Sequence, residues 1–483
     1  MMLNLLPMIT ILLIGLPTLM GVLLLSLKPK KPQGWIMATL ITTFVIAISM
    51  WQRSTGGMTV VQFTDQLSFN FAHDSISSFF LTLVQLVFIP AMLFSFDYHN
   101  HDEKAYRVYG FTLLTLAALN GLCLSNNLLT FYLFYELVTL ASFPLVLHTG
   151  TIAARKAAVV YLGYSVAGAA LVLAGFFLGG APLLANFSMG GVAVSQGLMT
   201  SYAWLLIVLG FSCKAGMFPL QSWLPIAHPE APAPASALLS GIITKAGILG
   251  ILRTTYYLIG PDLLIGTRAR NVMLTLSLIT VFLGSMLAFK EKLLKRRLAF
   301  SSVSQLSYVI FGMMMMTPTA LEGAVLQVWF HAGAKITLFL VSGAIIHYTH
   351  QTQVLDLKGI GKRFPIVMGC FTVASLSLIG IPPLGGFIAK WQLAAGALQP
   401  GTGLFGWLGV VVLLISAILT AGYLLPIVAE GFFPGLDYEM PAGPKPGWKM
   451  HLPLLALAGF LLIGGLFPVF LMQPLQSLRA LLF

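Results

Sequence analysis

The chain has 483 residues, of which 58% are hydrophobic and only 8% are charged. Soluble domains carry about 25% charged residues, so this composition excludes a water-soluble protein of this size and indicates a membrane protein. The formal net charge of +12 does not indicate a nucleic-acid partner, because the basic residues lie in short segments between apolar runs, as cytoplasmic loops do.

Fourteen apolar runs along the chain are long enough to cross a bilayer as helices. The first is expected to be a retained helix, because no basic segment precedes it and it is too long for a signal peptide. The connections are short, so the sequence predicts an all-α polytopic membrane protein with a single membrane domain over residues 1–483. The predicted spans are 3–26, 34–51, 77–97, 108–124, 127–149, 157–179, 203–219, 234–258, 271–289, 298–316, 321–347, 366–396, 405–433 and 451–477.

The basic residues indicate how the spans are oriented. If the loop after the first span is cytoplasmic, seventeen basic residues lie on that side: Lys28, Lys30, Lys31, Lys104, Arg107, Arg155, Lys156, Lys290, Lys292, Lys295, Arg296, Arg297, Lys358, Lys362, Arg363, Lys445 and Lys449. Five lie on the other side: Arg53, Arg253, Arg268, Arg270 and Arg479. The positive-inside rule then places both termini on the outer face of a prokaryotic cytoplasmic membrane.

The seventh and twelfth spans contain helix-breaking residues beside a lysine. Pro219 follows Lys214 in the seventh span, and Pro382 and Pro383 precede Lys390 in the twelfth. The two spans lie five apart, and a five-helix unit repeated in tandem must be inverted, because five is odd. Interrupted helices at matching places in two halves are typical of transporter sites. The predicted inverted repeats cover residues 108–258 and 271–433.

Ionisable side chains inside the predicted spans are the candidate site residues. They are Glu136, Lys214, Lys245, His331, Lys335 and Lys390. A charge at the bilayer centre costs about 2.5–3.5 kcal/mol even on the lenient insertion scale, so each is a functional hypothesis. Lysine suits proton transfer, because desolvation favours its neutral form and a nearby carboxylate favours its charged form. His331 precedes Lys335 by four residues on the same helical face, which indicates that it joins the relay.

Structural roles for several of these residues stay open. Glu136 and Lys214 are also consistent with a fixed buried ion pair, and Lys335 and Lys390 with positions nearer a helix end. We expect His148, His347, His350 and Glu430 at the membrane interface. We expect Cys123, Cys213 and Cys370 to be packing residues, because they show no metal or redox spacing. No nucleotide, flavin, haem or iron–sulfur motif is recognisable, so no cofactor or metal is expected.

Several of these segments resemble the antiporter-like subunits shared by complex I, Mrp cation/proton antiporters and energy-converting membrane-bound hydrogenases. The similarity runs from about residue 75 to 430 and is most specific in the seventh and eighth spans. The matching segments are Glu136 in its aromatic-rich helix, Lys214–Pro225, His228–Leu238 with Lys245, His331-Ala-Gly-Ala-Lys335, and Gly380–Lys390. The resemblance implies two half-channels and a central row of charges, with Glu136 and Lys214 as coupling pair, Lys245 as central carrier and Lys390 as outer carrier.

The resemblance implies an ion-translocating subunit, expected to move protons, in a redox-driven complex of the complex I or energy-converting hydrogenase type. The expected partners are other membrane subunits, including related antiporter-like ones, with the lipid bilayer, H⁺ and also Na⁺. The alternative is a subunit of a non-redox Mrp-type Na⁺/H⁺ antiporter. A passive scaffold is disfavoured, because it would not need five buried ionisable residues. Lys390 and the end of the chain at Phe483 favour the medium-length Mrp-type or hydrogenase-type subunits.

Overall fold

The computed structural model describes residues 6–51, 56–64, 67–188, 190–191, 197–435, 443–472 and 475. It confirms the predicted fold class, an all-α polytopic membrane protein. The helices, in chain order, are α1 Leu6–Leu27, α2 Gln33–Ser49, α3 Ser75–Tyr98, α4 Ala105–Leu124, α5 Leu128–Leu147, α6 Ile152–Gly179, α7 Leu198–Ala215, α8 Trp223–Glu230, α9 Ala233–Leu238, α10 Thr244–Leu252, α11 Arg268–Lys290, α12 Leu294–Met315, α13 Pro318–Thr349, α14 Ile360–Arg363, α15 Pro365–Ile379, α16 Gly385–Ala397, α17 Gly403–Phe432 and α18 Trp448–Leu466.

Twelve helical segments in the described part of the chain are long and apolar enough to cross a membrane. Two shorter apolar helices, Gln33–Ser49 and Pro365–Ile379, occupy the second predicted span and the first half of the twelfth. The fourteen predicted spans therefore all correspond to helices. The outermost residues of the first and last predicted spans, Arg53, Arg479 and both termini lie outside the described residues.

Five of the described helices begin at residues whose side chains replace a missing backbone partner of the first turn. In each case an Asp, Asn or Thr oxygen accepts a hydrogen bond from the backbone N–H three residues later. These caps are Asp74 before α3, Asn127 before α5, Thr151 before α6, Thr267 before α11 and Thr317 before α13. Each cap satisfies one of the four free N–H groups of the first turn, which helps a helix that enters lipid.

One short β-hairpin departs from the helical pattern. Strand β1, Met58–Gln62, pairs antiparallel with β2, Ser68–Phe71. The Asn70 backbone N–H donates to Thr130 Oγ1 at 3.0 Å, and its side chain donates to Asn186 Oδ1 at 2.7 Å. The hairpin is thereby anchored to the first turn of α5 and to the segment after α6.

The centre of the bundle is formed by the segment Ala233–Ile259 together with α12 and α13. The apolar windows of Ala233–Ile259 and α13 are wholly buried inside the protein, whereas only 33% of the residues in those of α1 and α17 are buried. Helix α13 packs against α3, α9, α12, α15, α16 and α18. The segment Ala233–Ile259 is not a uniform α-helix, because Leu239–Ile243 and Arg253–Ile259 are π-helical.

Loops that the sequence assigns to one side of the membrane contact each other. Leu294 N–H donates to the Thr352 carbonyl, and Gly359 N–H to the Glu430 carbonyl, each at 3.0 Å. On the opposite side, Phe187 N–H donates to the Asn126 carbonyl at 2.7 Å, and Ser188 N–H to the Tyr257 carbonyl at 3.0 Å. The two groups of loops therefore lie at opposite ends of the bundle, as alternating spans require.

Three basic residues that the sequence assigns to loops are in fact buried: Arg253, Arg270 and Lys295. Arg270 donates to the carbonyls of Met314 and Met315 at 2.8 and 2.9 Å, where α12 ends. Lys295 donates to the Ala231 carbonyl at 2.8 Å. Carbonyls near helix ends lack an intrahelical partner, so they hold these cations inside the fold. The difference in basic residues between the two ends still favours the same orientation.

Candidate functional site

Lys214 lies in the last turn of α7, close to α5. Its Nζ donates to Thr139 Oγ1 at 2.6 Å and to the Tyr135 carbonyl at 3.2 Å, and lies 4.1 Å from the centre of the Tyr135 ring. Glu136 follows Tyr135 and is half-buried, and its Oε1 has no hydrogen-bond partner among the described residues. Lys214 is therefore held by neutral acceptors beside Glu136, and the two charges interact electrostatically without a direct contact in the described structure.

Helix α7 ends directly after Lys214 because Gly216 adopts φ = +79°, a left-handed conformation that glycine tolerates. The chain then passes through Pro219 and re-forms as α8 from Trp223. The Cys213 carbonyl in the last turn accepts from the Gly216 backbone N–H at 3.1 Å and from Trp223 Nε1 at 2.9 Å. The break places a charged side chain next to free backbone groups inside the bundle.

Lys245 and His331 are joined directly across the centre of the bundle. Lys245 Nζ lies 2.8 Å from His331 Nδ1 and also donates to the Ser240 carbonyl in the π-helical stretch. Each of the two side chains is 1% exposed. His331 Nε2 is buried without a hydrogen-bond partner in the described part of the chain. The pair connects α10 to α13, and the second ring nitrogen of His331 stays available for another hydrogen bond.

Lys335 lies one turn beyond His331 in the middle of α13, not near a helix end. Its Nζ donates to the Ser301 hydroxyl and, at 2.9 Å, to the Leu298 carbonyl of α12. Lys335 is fully buried. His331 and Lys335 share a helical face, as the sequence predicts, but they bind different helices, since His331 faces α10 and Lys335 faces α12.

Lys390 lies in α16, after the second helix break. Helix α15 ends where Gly380 adopts φ = +94°, and Pro382 and Pro383 precede α16. Lys390 Nζ donates back to the Leu378 and Ile379 carbonyls at 2.7 and 3.0 Å and lies 4.9 Å from the centre of the Tyr308 ring. A cation at a helix C-terminus is stabilised by the helix dipole. Lys390 also borders an apolar cavity of about 470 Å³.

Polar side chains that the sequence analysis passed over lie between these charges. Gln327 Nε2 donates to Gln305 Oε1 at 2.9 Å between α13 and α12. The hydroxyls of Ser240 and Ser302 are 2.7 Å apart. Glutamines and serines in a predicted span give no local signal of pairing, because the partners come from different helices.

His228, in α8, is another residue that sequence reasoning left without a role. It is fully buried, stacks on Phe339 with ring centres 4.6 Å apart, and neither ring nitrogen has a hydrogen-bond partner among the described residues. It interacts electrostatically with Lys335, Lys295 and Lys245. Burial and the three neighbouring lysine charges all disfavour a protonated imidazole at this position.

The Asp74–Arg253 ion pair was not foreseen. Arg253 donates through both terminal nitrogens to the Asp74 carboxylate, with Nη2–Oδ1 at 2.8 Å, and also to Ser77 Oγ at 3.0 Å. Burial raises the pKa of the Asp74 carboxyl, but attraction and hydrogen bonding to Arg253 outweigh it and hold this pKa below its usual value of 3.8. The pair ties the start of α3 to the central span.

Of the six predicted site residues, the structure therefore places Lys245 and His331 in direct contact and Lys214 beside Glu136. Lys335 and Lys390 make no direct contact with the other predicted site residues among the hydrogen bonds of the described chain, and each donates to backbone carbonyls. In the described ranges no ion pair within 4.0 Å involves any of these four lysines. This row of buried cations on neutral acceptors is the candidate site.

A protein-family comparison identifies the family of the chain. The family model described as "NADH:quinone oxidoreductase/Mrp antiporter, TM" matches residues 125–419, which is more than half of the chain. The chain belongs to this family. The matched region runs from the start of α5 into α17 and includes all six predicted site residues of this antiporter-family chain.

Curated relatives come from more than one kind of complex. The antiporter-family chain is 33% identical to NADH-quinone oxidoreductase subunit N of Desulforudis audaxviator, over 74% of this chain and 72% of the relative. It is 27% identical to a Na⁺/H⁺ antiporter subunit of Alkalihalophilus pseudofirmus, over 89% of this chain and 87% of the relative.

A solved structure shares the fold over nearly the whole length. A chain of the Mrp complex from Dietzia sp. superposes with a TM-score of 0.86 at 24% sequence identity, covering 98% of this chain and 97% of the other. At this level of identity the likeness concerns the fold of the antiporter-family chain.

Proposed function

We propose that the chain is a proton-translocating subunit of a redox-driven, multi-subunit complex in a prokaryotic cytoplasmic membrane. The family and its relatives support an ion-transporting role among other membrane subunits. The chain itself supplies the buried relay of Glu136, Lys214, Lys245, His331, Lys335 and Lys390, and the oxidation chemistry belongs to partner subunits. Both termini lie on the outer face.

The contact between Lys245 and His331 is the observation that carries this proposal. When Lys245 is protonated, its Nζ–H points at His331 Nδ1 over 2.8 Å. Transfer of that proton leaves a neutral amine and an imidazolium, whose Nε2–H is then free to be passed on. Both groups are removed from water, so the proton moves between them without leaking to bulk solvent.

Repulsion between protonated lysines causes neighbouring lysines of the relay to be protonated alternately. Lys245 and Lys335 interact electrostatically through the protein interior, where a like charge disfavours a second one. A proton that arrives on one lysine therefore favours release from the other. Neither lysine is tied to a carboxylate within the described residues, so no counter-charge prevents that exchange.

Glu136 and Lys214 are proposed to couple this row to a neighbouring subunit. Charge added near Glu136 changes the electrostatic potential at Lys214. The helix break from Gly216 to Pro219 allows the end of α7 to move in response. At the other end, Lys390 sits on the carbonyls freed by the break at Pro382 and Pro383. Lys390 is thus proposed to be the outer carrier.

Two inverted units, residues 108–258 and 271–433, are proposed to hold one half-channel each. The fourth helical position of each unit is the broken one, and in each a left-handed glycine, Gly216 or Gly380, ends the first half. A lysine lies beside each break. This correspondence supports the repeat, since matching broken helices are typical of inverted transporter halves.

Purification of the native complex with this chain tagged tests the proposal. We expect flavin, iron–sulfur or hydrogenase-type subunits to co-purify, and oxidation of NADH or hydrogen to move protons across vesicles containing the complex. The observation on the side of the alternative, a Mrp-type antiporter, is the sodium/proton antiporter relative, which matches over 89% of this chain and 87% of its own length. Proton movement driven by an imposed sodium gradient, with no electron donor and no redox subunit, would establish that alternative instead.

A further inference from the structure

A cluster of metal-ligating side chains lies at one end of the bundle, away from the lysine row. His99 follows the end of α3, Asp102 lies in the loop before α4, and His148 follows the end of α5. One donor atom from each of the three lies within 4.8 Å of the others. His148 Nε2 donates to Asp102 Oδ2 at 2.6 Å. His99 and Asp102 lie three residues apart in the loop between α3 and α4, whereas His148 comes from the end of α5, so its approach to that loop is a property of the fold.

His99 is oriented as metal-binding histidines are. Its Nδ1 lies 3.2 Å from the Ser95 carbonyl and 3.0 Å from Ser95 Oγ. A carbonyl can only accept, so Nδ1 carries the proton and Nε2 keeps its lone pair. His99 is 5% exposed, and Nε2 has no hydrogen-bond partner in the described part of the structure. Metal-bound histidines typically use one nitrogen on the ion and donate the other to such an acceptor.

The carboxylate of Asp102 is also fixed from outside the cluster. Its Oδ1 accepts from the Lys104 backbone N–H at 2.8 Å, which leaves Oδ2 directed at His148. The cluster borders a cavity of about 650 Å³ that is open to solvent and also lined by Glu103 and Glu230. An ion has a path to the cluster, and water can supply a further ligand.

We propose that His99, Asp102 and His148 form a binding site for a divalent transition-metal ion, with Zn²⁺ as the ion that best fits. Two imidazoles, one carboxylate and an open position facing water make up a common four-coordinate zinc set. Magnesium and calcium prefer oxygen ligands and do not suit this donor set. This site departs from the sequence-based expectation of no metal, because its residues carry no local spacing motif.

The geometry of the free site needs only a small rearrangement. Ligand atoms about 2.0–2.1 Å from zinc in a tetrahedral site lie roughly 3.3 Å apart. The ion would enter between His148 and Asp102, replacing their hydrogen bond, and the Nε2 proton of His148 would leave that atom. His99 Nε2 would gain the partner that it lacks.

Cobalt binding to the purified full-length chain in detergent micelles tests this site. We expect one Co²⁺ per chain with the strong visible absorption of four-coordinate cobalt, displaced by Zn²⁺. In His148→Gln and His99→Gln the affinity should fall by more than about 100-fold, since loss of even an outer-shell partner costs about 10–100-fold. The matched control is His101→Gln, because His101 is exposed and lines the same cavity but lies outside the cluster.

Two results would overturn the site. One is the absence of saturable Co²⁺ binding to the wild-type chain. The other is an equal loss of affinity in His101→Gln, which would mean that the cavity attracts cations without specific ligands. Circular dichroism of each variant ensures that folded chains are compared. The two ligand variants change residues that follow different helices, α3 and α5, so the test does not depend on the folding of one variant.

Discussion

A lysine in the centre of a membrane protein needs acceptors for its ammonium hydrogens, and each relay lysine here finds neutral ones. Lys214 uses a threonine hydroxyl and a carbonyl, Lys335 a serine hydroxyl and a carbonyl, and Lys390 two carbonyls. Lys245 uses a carbonyl and an imidazole. Neutral acceptors satisfy the hydrogen bonds of the ammonium form but do not fix the lysine in that form, whereas a buried carboxylate would.

Replacement of Glu136 by glutamine separates a structural from a functional role. Lys214 keeps its bonds to Thr139 and Tyr135 in this variant, so we expect the complex to assemble normally while proton pumping is largely lost. Blue-native gels and vesicle pumping on one preparation measure both. The exposed Glu103→Gln serves as the control and should pump normally. Loss of the assembled complex in Glu136→Gln alone would instead identify a structural residue.

The Asp74–Arg253 pair predicts a dependence of stability on pH. The folded-state pKa of Asp74 is depressed, so the pair stabilises the fold fully above the unfolded-state value near 3.8. This stabilisation is lost as the pH falls through the folded-state pKa. Thermal unfolding in micelles should therefore show a loss of stability in acid that is reduced in Asp74→Asn.

At neutral pH, Asp74→Asn should destabilise the chain by about 3–5 kcal/mol, because a buried arginine loses its partner. The control Asp262→Asn changes an exposed aspartate at the same end of the molecule and should stay within about 0.5 kcal/mol. Equal melting temperatures for the two variants would mean that the pair is not a structural tie.

The sequence predicted which residues are charged inside spans, but not their partners. The positions of Lys245 and His331 in apolar runs are visible locally, whereas their contact joins residues that are 86 positions apart. Arg253 was counted with the basic residues of the outer side, and its partner Asp74 is 179 positions away. Pairings of this kind depend on the packing of helices and leave no local pattern.

At the scale of elements, the break between α15 and α16 places Lys390 where backbone carbonyls are free. The halves α15 and α16 approach so closely that a Cβ on Gly386 would lie 1.8 Å from the Ser377 carbonyl oxygen. That distance is far shorter than a van der Waals contact. The contacted atom belongs to the backbone, so it cannot rotate out of the way as a side chain could. The glycine therefore sets the packing that brings Lys390 to Leu378 and Ile379.

Gly386→Ala should push α16 away from α15, lower the melting temperature and impair transport, with an overpacking cost of about 1–3 kcal/mol or more. Gly369→Ala is a matched control in α15, because a Cβ there meets nothing within 4 Å. In a helix interior that change should stabilise by up to about 1 kcal/mol. Indistinguishable melting and transport in the two variants would contradict this account of the helix break.

Element positions were largely predictable, because long apolar runs mark helices directly. The β-hairpin was missed because Met58–Gln62 is too short and too exposed to give a hydrophobic pattern. The π-helical stretches around Lys245 were missed because π-turns change the backbone hydrogen bonding without a distinctive composition. The predicted twelfth span, 366–396, is two helices with an intervening turn.

At the scale of the whole molecule, the alternation of loops predicts where reagents reach the chain. The three native cysteines are free and buried, so a new surface cysteine gives a clean signal. We expect Lys292→Cys to react with a membrane-impermeant maleimide only after cells are permeabilised, and Asp262→Cys to react in intact cells. The reverse pattern would invert the proposed orientation.

The overall class followed from composition, because few charges and many long apolar runs are compatible only with a helical membrane protein. The family resemblance followed from the motifs. The metal cluster did not, since His148 reaches His99 and Asp102 only when the end of α5 packs beside the loop between α3 and α4. Long-range geometry of this sort decides both the proposed relay and the proposed metal site.

Proton translocation by the complex carrying Lys245→Ala is the most direct test of the central claim, that protons pass along the buried lysines. Vesicles containing the assembled complex, supplied with whichever of NADH or hydrogen it oxidises, should pump with Lys156→Ala, a change at an exposed position of α6. With Lys245→Ala they should assemble equally well and pump no protons. Pumping at the control rate in Lys245→Ala would contradict the relay.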